Sequence, residues 1–195
     1  MAKLYFRYSS MGAGKTLDLL KVSYNYEERG RKPLLLTSAF DDRFEVGLIK
    51  SRTGLEKRAM LIKPDTNLFD LIKQNKDIDC VLIDEAQFLT KEQVLQLTDV
   101  VDHLKIPVIC YGLRVDYMGE PFEGSSYLMA RAHTIEEIKT ICHCGKKATM
   151  NARVEDGKVI YSGDQILIDK PAENSFYTAV CSYHWKTGEF ERPLR

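Results

Sequence analysis

Two short segments of this 195-residue chain carry residue types in spacings that suit phosphoryl chemistry. The first is Ser9-Ser10-Met11-Gly12-Ala13-Gly14-Lys15-Thr16, which matches the phosphate-loop pattern G-x-x-x-x-G-K-[ST] with Ser9 in place of the first glycine. Small residues let backbone N–H groups curl round a polyphosphate, and a following helix adds the positive end of its dipole. In that arrangement Lys15 reaches the β- and γ-phosphates and Thr16 holds Mg²⁺. The second segment is Val81-Leu82-Ile83-Asp84-Glu85-Ala86-Gln87, an apolar run that ends in two carboxylates. Asp84 would orient Mg²⁺ and Glu85 would lie beside the γ-phosphate, placed to take a proton from a nucleophile. A glycine turn alone, or two solvated acids at a strand end alone, would be ordinary. The two together point to a nucleoside triphosphate site.

A third set is made of cysteine and histidine. Cys142-His143-Cys144 is followed much later by Cys181-Ser182-Tyr183-His184. Three thiolates and one imidazole suit tetrahedral Zn²⁺, and four protein ligands leave no open position, so the metal would be structural. The tight Cys-x-Cys spacing leaves His143 as a rival ligand. The other two of the five cysteines, Cys80 and Cys110, sit in apolar runs and read as small core residues of strands. An odd cysteine count argues against a disulfide framework.

These groups must be positioned by regular elements. Lys3 to Tyr8, Pro33 to Thr37, Asp79 to Ile83 and Pro107 to Tyr111 read as strands, and Thr16 to Arg29 as a helix with Gly30 as its stop. Asp65 and Thr66 are candidate caps for a helix carrying Leu68, Leu71 and Ile72. Thr90 to Lys105 is the clearest helix, with capping-box spacing between Thr90 and Gln93 and one apolar face. Continuous apolar strands alternating with helices predict an α/β, P-loop NTPase-like parallel sheet with helices on both faces. Beyond about residue 140 the pattern changes to short strands with turn signals. We therefore expect an ATP-binding α/β domain over 1–139 and a small β-rich zinc-ribbon domain over 140–195. The polar stretch Phe40 to Gly54 shows no clear period and is expected to be a mobile loop.

Composition closes off other classes. Twenty-eight basic and 28 acidic residues cancel, which removes the usual electrostatic footprint for nucleic acid or an anionic membrane. Apolar runs of about five residues fall far short of the ~20 needed to span a bilayer. The N-terminal MAKLYFRY turns polar too early for a signal peptide.

With these residues in hand, the chain resembles the type II thymidine kinase family, in its bacterial branch. The likeness rests on the phosphate loop with Tyr8 before it, on Asp41-Asp42-Arg43-Phe44, on Asp84-Glu85-Ala86-Gln87-Phe88, on Tyr111-Gly112-Leu113-Arg114-Val115-Asp116-Tyr117 with Pro121-Phe122, and on the two cysteine knuckles. The resemblance implies transfer of the γ-phosphate of ATP to the 5′-hydroxyl of thymidine, with Glu85 as the base. It implies nucleotide contacts from residues 9–16, Arg43, Asp84 and Gln87. Tyr117 matches a position where an aromatic ring stacks on the base, and Tyr177 matches a substrate-contacting tyrosine. A loop of about Gln165 to Tyr177 would fold over the nucleoside, and its Asp169-Lys170-Pro171-Ala172-Glu173-Asn174-Ser175 is longer than the compact segment usual there. Family members are typically cytoplasmic homotetramers inhibited by dTTP. From the residues alone, Tyr117 and Phe122 could be pocket walls, but ordinary packing is the preferred reading of the tyrosine; Arg43 reads as a triphosphate contact or a surface charge.

Two other readings compete. Asp84-Glu85-Ala86-Gln87 also resembles the acidic box of DExx helicases, but the chain lacks the length for a second motor domain and the charge for a strand-binding channel. A non-enzymatic zinc-ribbon adaptor for nucleic acid would need a basic ribbon. Here Glu155, Asp156, Asp164, Asp169 and Glu173 interrupt the lysines.

Overall fold

A computed structural model of the chain describes residues 1–39, 47–165 and 174–191. Arg43, the Asp41 to Phe44 motif and most of the expected nucleoside loop, 166–173, lie outside the described residues.

The apolar strands expected from the sequence are present and pair in parallel. Strand β1 (Leu4–Ser9) leads through the phosphate loop into helix α1 (Lys15–Glu28), and β2 (Pro33–Ser38) follows. Next come β3 (Leu48–Lys50), β4 (Glu56–Arg58), β5 (Met60–Ile62), α2 (Leu68–Gln74) and β6 (Cys80–Asp84). Helix α3 (Lys91–Asp99), β7 (Val108–Leu113), α4 (Glu123–Arg131) and β8 (Thr134–Glu137) complete the large sheet and its cover. Its six strands run in the order β5-β2-β6-β7-β1-β8, all parallel.

Both faces of that sheet are buried, because side chains alternate along each strand. Leu34, Leu36, Val81 and Ile83 point to one side, where they meet Leu68 and Ile72 of α2, Val94 and Leu97 of α3 and Leu128 of α4. Leu35, Cys80, Leu82 and Ile109 point to the other, where Leu19 and Leu20 of α1 cover them. Cys80 and Cys110 are fully buried in β6 and β7, as their apolar neighbours predict.

Several local expectations change. Asn67, not Asp65 or Thr66, caps α2: its side chain accepts from the Asp70 N–H at 3.0 Å. Thr66 instead uses its hydroxyl to accept from the Lys63 N–H at 2.9 Å. The capping box of α3 is present, with Thr90 and Gln93 exchanging bonds of 3.1 and 3.2 Å. The helical run continues past Asp99 as one wider turn over Val100–Leu104. The second half of the Phe40 to Gly54 stretch is not an irregular loop. Leu48–Lys50 pairs antiparallel with Glu56–Arg58 as a two-stranded hairpin, and Ile49 anchors it in the core.

After Glu137 the chain leaves the large sheet. Strands β9 (Met150–Glu155), β10 (Lys158–Ile160) and β11 (Ser175–Val180) form a small antiparallel sheet in the order β10-β9-β11, followed by the short helix α5 (Ser182–Thr187). Its core is small: Cys142, Ala148, Ala152, Val180 and Cys181, with Met150, Val159, Ala179 and Trp185 packed against them. Among the described residues, no helix is long and apolar enough to cross a membrane.

Helix α4 was not visible in the sequence, and its packing reaches the candidate site. It lies against the turn Ala86–Phe88 that follows β6. A Cβ on Gly124 would stand 2.6 Å from the Ala86 carbonyl oxygen and 2.7 Å from that of Leu89. These are backbone atoms with no rotamer to change. Gly124→Ala is therefore expected to lower stability by about 1–3 kcal/mol, the usual cost of overpacking. In urea unfolding the midpoint should fall with its slope unchanged. An unchanged midpoint would mean that the turn yields freely.

Candidate functional site

The phosphate loop closes because Gly12 and Gly14 take left-handed backbone angles, φ 72° and 84°, which other residues rarely adopt. Gly14 then leads directly into α1, whose first residues are Lys15 and Thr16. Ser9 fits at the glycine position and takes a role there. Lys15 Nζ donates to Ser9 Oγ at 3.0 Å and to the Ser10 carbonyl at 3.3 Å, while Ser9 Oγ donates to that same carbonyl at 2.7 Å.

Strand β6 delivers the two carboxylates from the centre of the sheet. Asp84 is only 5% exposed. Its Oδ2 accepts from Thr16 Oγ1 at 3.0 Å, and its Oδ1 accepts from the Glu85 N–H at 3.0 Å. Burial, reinforced by the charge of Glu85, pushes the Asp84 carboxyl up to about 7, against the pull of Thr16, the Glu85 N–H and Lys15. Glu85 itself holds a left-handed backbone, φ 52°, as the chain turns sharply off the strand. A non-glycine residue in that conformation is strained by about 1–3 kcal/mol and is typical of functional sites.

Lys15, Thr16, Asp84 and Glu85 all line one cavity of about 460 Å³. The β3–β4 hairpin forms its opposite wall with Lys50 to Thr53, and Met11 and Gly12 reach its rim. Ser9, Ser10, Ala13 and Gln87 are not in its lining. Gln87 is 2% exposed and lies under Glu85. It donates through Nε2 to Glu85 Oε2 and accepts the Leu113 N–H on Oε1 at 3.1 Å. Gly112 makes room for it, since a Cβ there would come within 3.0 Å of the Gln87 backbone N and Oε1. In this structure Gln87 aims Glu85 rather than facing the cavity.

The aromatic pair behaves differently from a simple open wall. Tyr117 is 3% exposed. The Arg153 guanidinium lies 5.3 Å over its ring, and Tyr177 meets it edge-on at 6.2 Å. Its hydroxyl donates to the carbonyls of Asp164 and Ser162 at 3.1 and 3.4 Å. Tyr117 therefore presents no open face here and holds the 162–164 backbone instead. Tyr177 lines a second cavity, about 280 Å³, which shares Met11, Gly12 and Arg52 with the first.

Three residues to which the sequence assigns no role of their own, Asp116, Asn151 and Arg153, organise this region. Asp116, 3% exposed, accepts the Met118 and Glu120 N–H groups at 2.8 and 2.9 Å and Gln165 Nε2 at 3.0 Å. An Asp three places before Gly119 is a turn signal and was available in the sequence. Asn151 and Arg153 had no such signal: a polar residue in a short strand reads as solvent-facing until its neighbours are known.

The structure brings Cys142, Cys144, Cys181 and His184 together, with one donor atom from each lying within 4.8 Å of the others. Cys142 Sγ is 3.3 Å from His184 Nδ1 and Cys144 Sγ is 4.0 Å from Cys181 Sγ. Tetrahedral Zn²⁺ with bonds of about 2.0–2.3 Å needs ligand separations of about 3.3–3.8 Å. The His184 backbone N–H points at Cys181 and holds its thiol below the usual range, which favours the thiolate that a metal needs. His143 stacks on His184, ring centres 4.3 Å apart, with its Nδ1 3.6 Å from Cys142 Sγ. The donor types fit a metal ion, with separations of up to 4.8 Å that would close by about 1 Å round zinc.

A parallel sheet with a phosphate loop after its first strand, and an Asp-Glu pair at the end of a central strand, defines a phosphate-loop nucleotide-binding protein. A sequence profile of the thymidine kinase family matches residues 2–185. The chain is 54% identical to the thymidine kinase of Francisella tularensis subsp. holarctica (strain LVS), over 98% of this chain and all of that protein. It is 52% identical to that of Vibrio vulnificus (strain CMCP6) and 54% to that of Haemophilus influenzae (strain ATCC 51907 / DSM 11121 / KW20 / Rd), each over 95% of this chain and 97% of the relative. The chain belongs to the thymidine kinase family.

The ligand geometry makes a direct prediction. Cys144→Ser and His184→Ala should each lose bound metal and the small sheet's resistance to proteolysis, while His143→Ala should keep both. Metal lost from His143→Ala but retained by His184→Ala would reverse the assignment of the fourth ligand.

Proposed function

We propose that the chain transfers the γ-phosphate of ATP to the 5′-hydroxyl of thymidine, giving dTMP and ADP for pyrimidine deoxynucleoside salvage. The observation that carries this reading is the convergence of Lys15, Thr16, Asp84 and Glu85 on one cavity, in a chain of this family. Lys15 would release its loop partners and hold the β- and γ-phosphates, with the N–H groups of residues 11–16 around them. Arg43 is assigned to the triphosphate by resemblance alone.

Thr16 and Asp84 would hold Mg²⁺: their oxygens are adjacent, and a cation would offset the cost of ionising a carboxyl raised by burial and, further, by Glu85. Bound there, Mg²⁺ would offset charge on the phosphates. Glu85 would accept the proton of the 5′-hydroxyl as the new bond to phosphorus forms and the bond to the ADP oxygen breaks. Gln87 would fix the Glu85 carboxylate for that transfer. Tyr177 is assigned to thymidine. Tyr117 is assigned to the base side of the pocket, and it would have to exchange its contact with Arg153 to stack on a base. Zn²⁺ on Cys142, Cys144, Cys181 and His184 would be structural. By resemblance, the reading extends to a cytoplasmic homotetramer with dTTP as feedback inhibitor.

Glu85→Gln tests the central assignment. It should keep the fold and ATP binding while thymidine turnover falls by about 10²–10⁴, the usual contribution of a general base. Gln87→Leu, which removes the contact to Glu85 and strands the Leu113 N–H, should lower turnover by about tenfold with little change in ATP affinity. Near-normal turnover in a folded Glu85→Gln protein would assign the base elsewhere. ATP hydrolysis stimulated by single-stranded nucleic acid, without nucleoside phosphorylation, would support the helicase-type reading.

A further inference from the structure

Strand β9 is the middle strand of the small sheet, paired with β10 on one side and β11 on the other. Residues two apart on a strand share a face. Asn151 and Arg153 therefore point the same way, and both reach the α/β domain. Arg153 covers Tyr117. Asn151, 2% exposed, is fully engaged. Its Oδ1 accepts the Met11 N–H of the phosphate loop at 2.7 Å, and its Nδ2 donates to the Val115 carbonyl at 2.9 Å. Two weaker contacts join the same parts: Ser10 Oγ to the Ala148 carbonyl at 3.4 Å and Arg114 Nη2 to the Thr149 carbonyl at 3.3 Å. The phosphate-loop pattern and the cysteine knuckles do not contain Asn151.

We propose that Asn151 is a positioning residue for phosphoryl transfer. It ties the phosphate loop at Met11 to Val115, the start of the segment that carries Asp116 and Tyr117. The small sheet thereby sets the register between the phosphate-donor side and the nucleoside side. The side chain uses an acceptor and a donor on two separate atoms of one planar group, which a carboxylate or a hydroxyl cannot reproduce in the same place. With its N–H held, the Ser10–Met11 peptide cannot flip, so Met11 and Gly12 keep one orientation at the cavity rim. Displacements of about 1 Å in such a loop can cost roughly 100-fold in rate.

The proposal's turnover arm rests on the kinase reading above; its other arms do not. In Asn151→Ala, the Met11 amide should lose its slow hydrogen exchange. Mg²⁺–ATP affinity by calorimetry should fall about tenfold, and kcat for thymidine should fall by at least as much. Metal content should stay within twofold of the native protein, which a merely structural defect in the small sheet would not allow. Asn151→Asp keeps an acceptor for Met11 but sets a carboxylate oxygen against the Val115 carbonyl. It should retain slow Met11 exchange and show an intermediate kcat. Unchanged Met11 exchange, or unchanged ATP affinity and kcat, in a folded Asn151→Ala protein would overturn the proposal. Should that variant fail to fold, native kcat and ATP affinity in Asn151→Asp would overturn it equally. If the native protein does not phosphorylate thymidine, the functional reading fails, while Met11 exchange and ATP affinity still decide the role of Asn151.

Discussion

The burial of Asp84 next to Glu85 is the constraint that orders the rest of the site. A carboxylate loses much of its hydration when it is nearly covered, and a second carboxylate beside it raises the cost further. Three groups offset that cost: the Thr16 hydroxyl, the Glu85 N–H and the charge of Lys15. They come from two pieces of chain. Thr16 and Lys15 are there because the phosphate loop delivers the first turn of α1 over the end of β6. The Glu85 N–H is there because the backbone turns off the strand through a left-handed residue. The fold therefore holds a buried carboxyl against the Thr16 hydroxyl, in the cavity that the phosphate loop lines.

The strained turn at Glu85 needs support from below, and that support explains features that look unrelated in the sequence. Gln87 takes the Glu85 carboxylate and is itself tied to β7 through the Leu113 N–H. Gly112 leaves the space for Gln87, and Gly124 lets α4 lie directly on the carbonyls of residues 86–89. Two glycines, neither in the phosphate loop, thus have a defined purpose. They let backbone approach backbone closely enough to hold one residue in an unfavourable conformation.

The parallel sheet, its two buried faces and the phosphate-loop and carboxylate segments were legible because each is written locally, as apolar alternation or as residues adjacent in sequence. The four metal-binding candidates were legible because thiol and imidazole chemistry restricts their reading. The edge strands β5 and β8, helix α4 and the hairpin of β3 and β4 were not. Met60–Ile62 and Thr134–Glu137 are too short to show a period, and α4 opens on Glu123-Gly124-Ser125-Ser126, which is poor helix-forming sequence held in place by packing. Tyr117 shows the limit most clearly. Its position suggested an open stacking face, yet the contacts of Arg153, Tyr177, Ser162 and Asp164 come from sequence 36 to 60 positions away. No local pattern encodes them.

The small sheet has few apolar residues to hold itself together, and two of the five in its core, Cys142 and Cys181, are also metal-ligand candidates. Metal coordination would therefore stabilise the part of the molecule that contains β9 and α5. From that part, Trp185 Nε1 donates to the Tyr117 carbonyl at 3.0 Å and Asn151 holds Met11 and Val115. The substitution of Ser9 for glycine belongs to the same scheme. A glycine there would leave the Lys15 ammonium with one fewer acceptor in the loop, the Ser9 hydroxyl. That hydroxyl both accepts from Lys15 and donates to the Ser10 carbonyl, so it links the cation to the loop backbone. The departure from the common pattern thus adds a hydroxyl that ties Lys15 to the Ser10 carbonyl at the mouth of the loop.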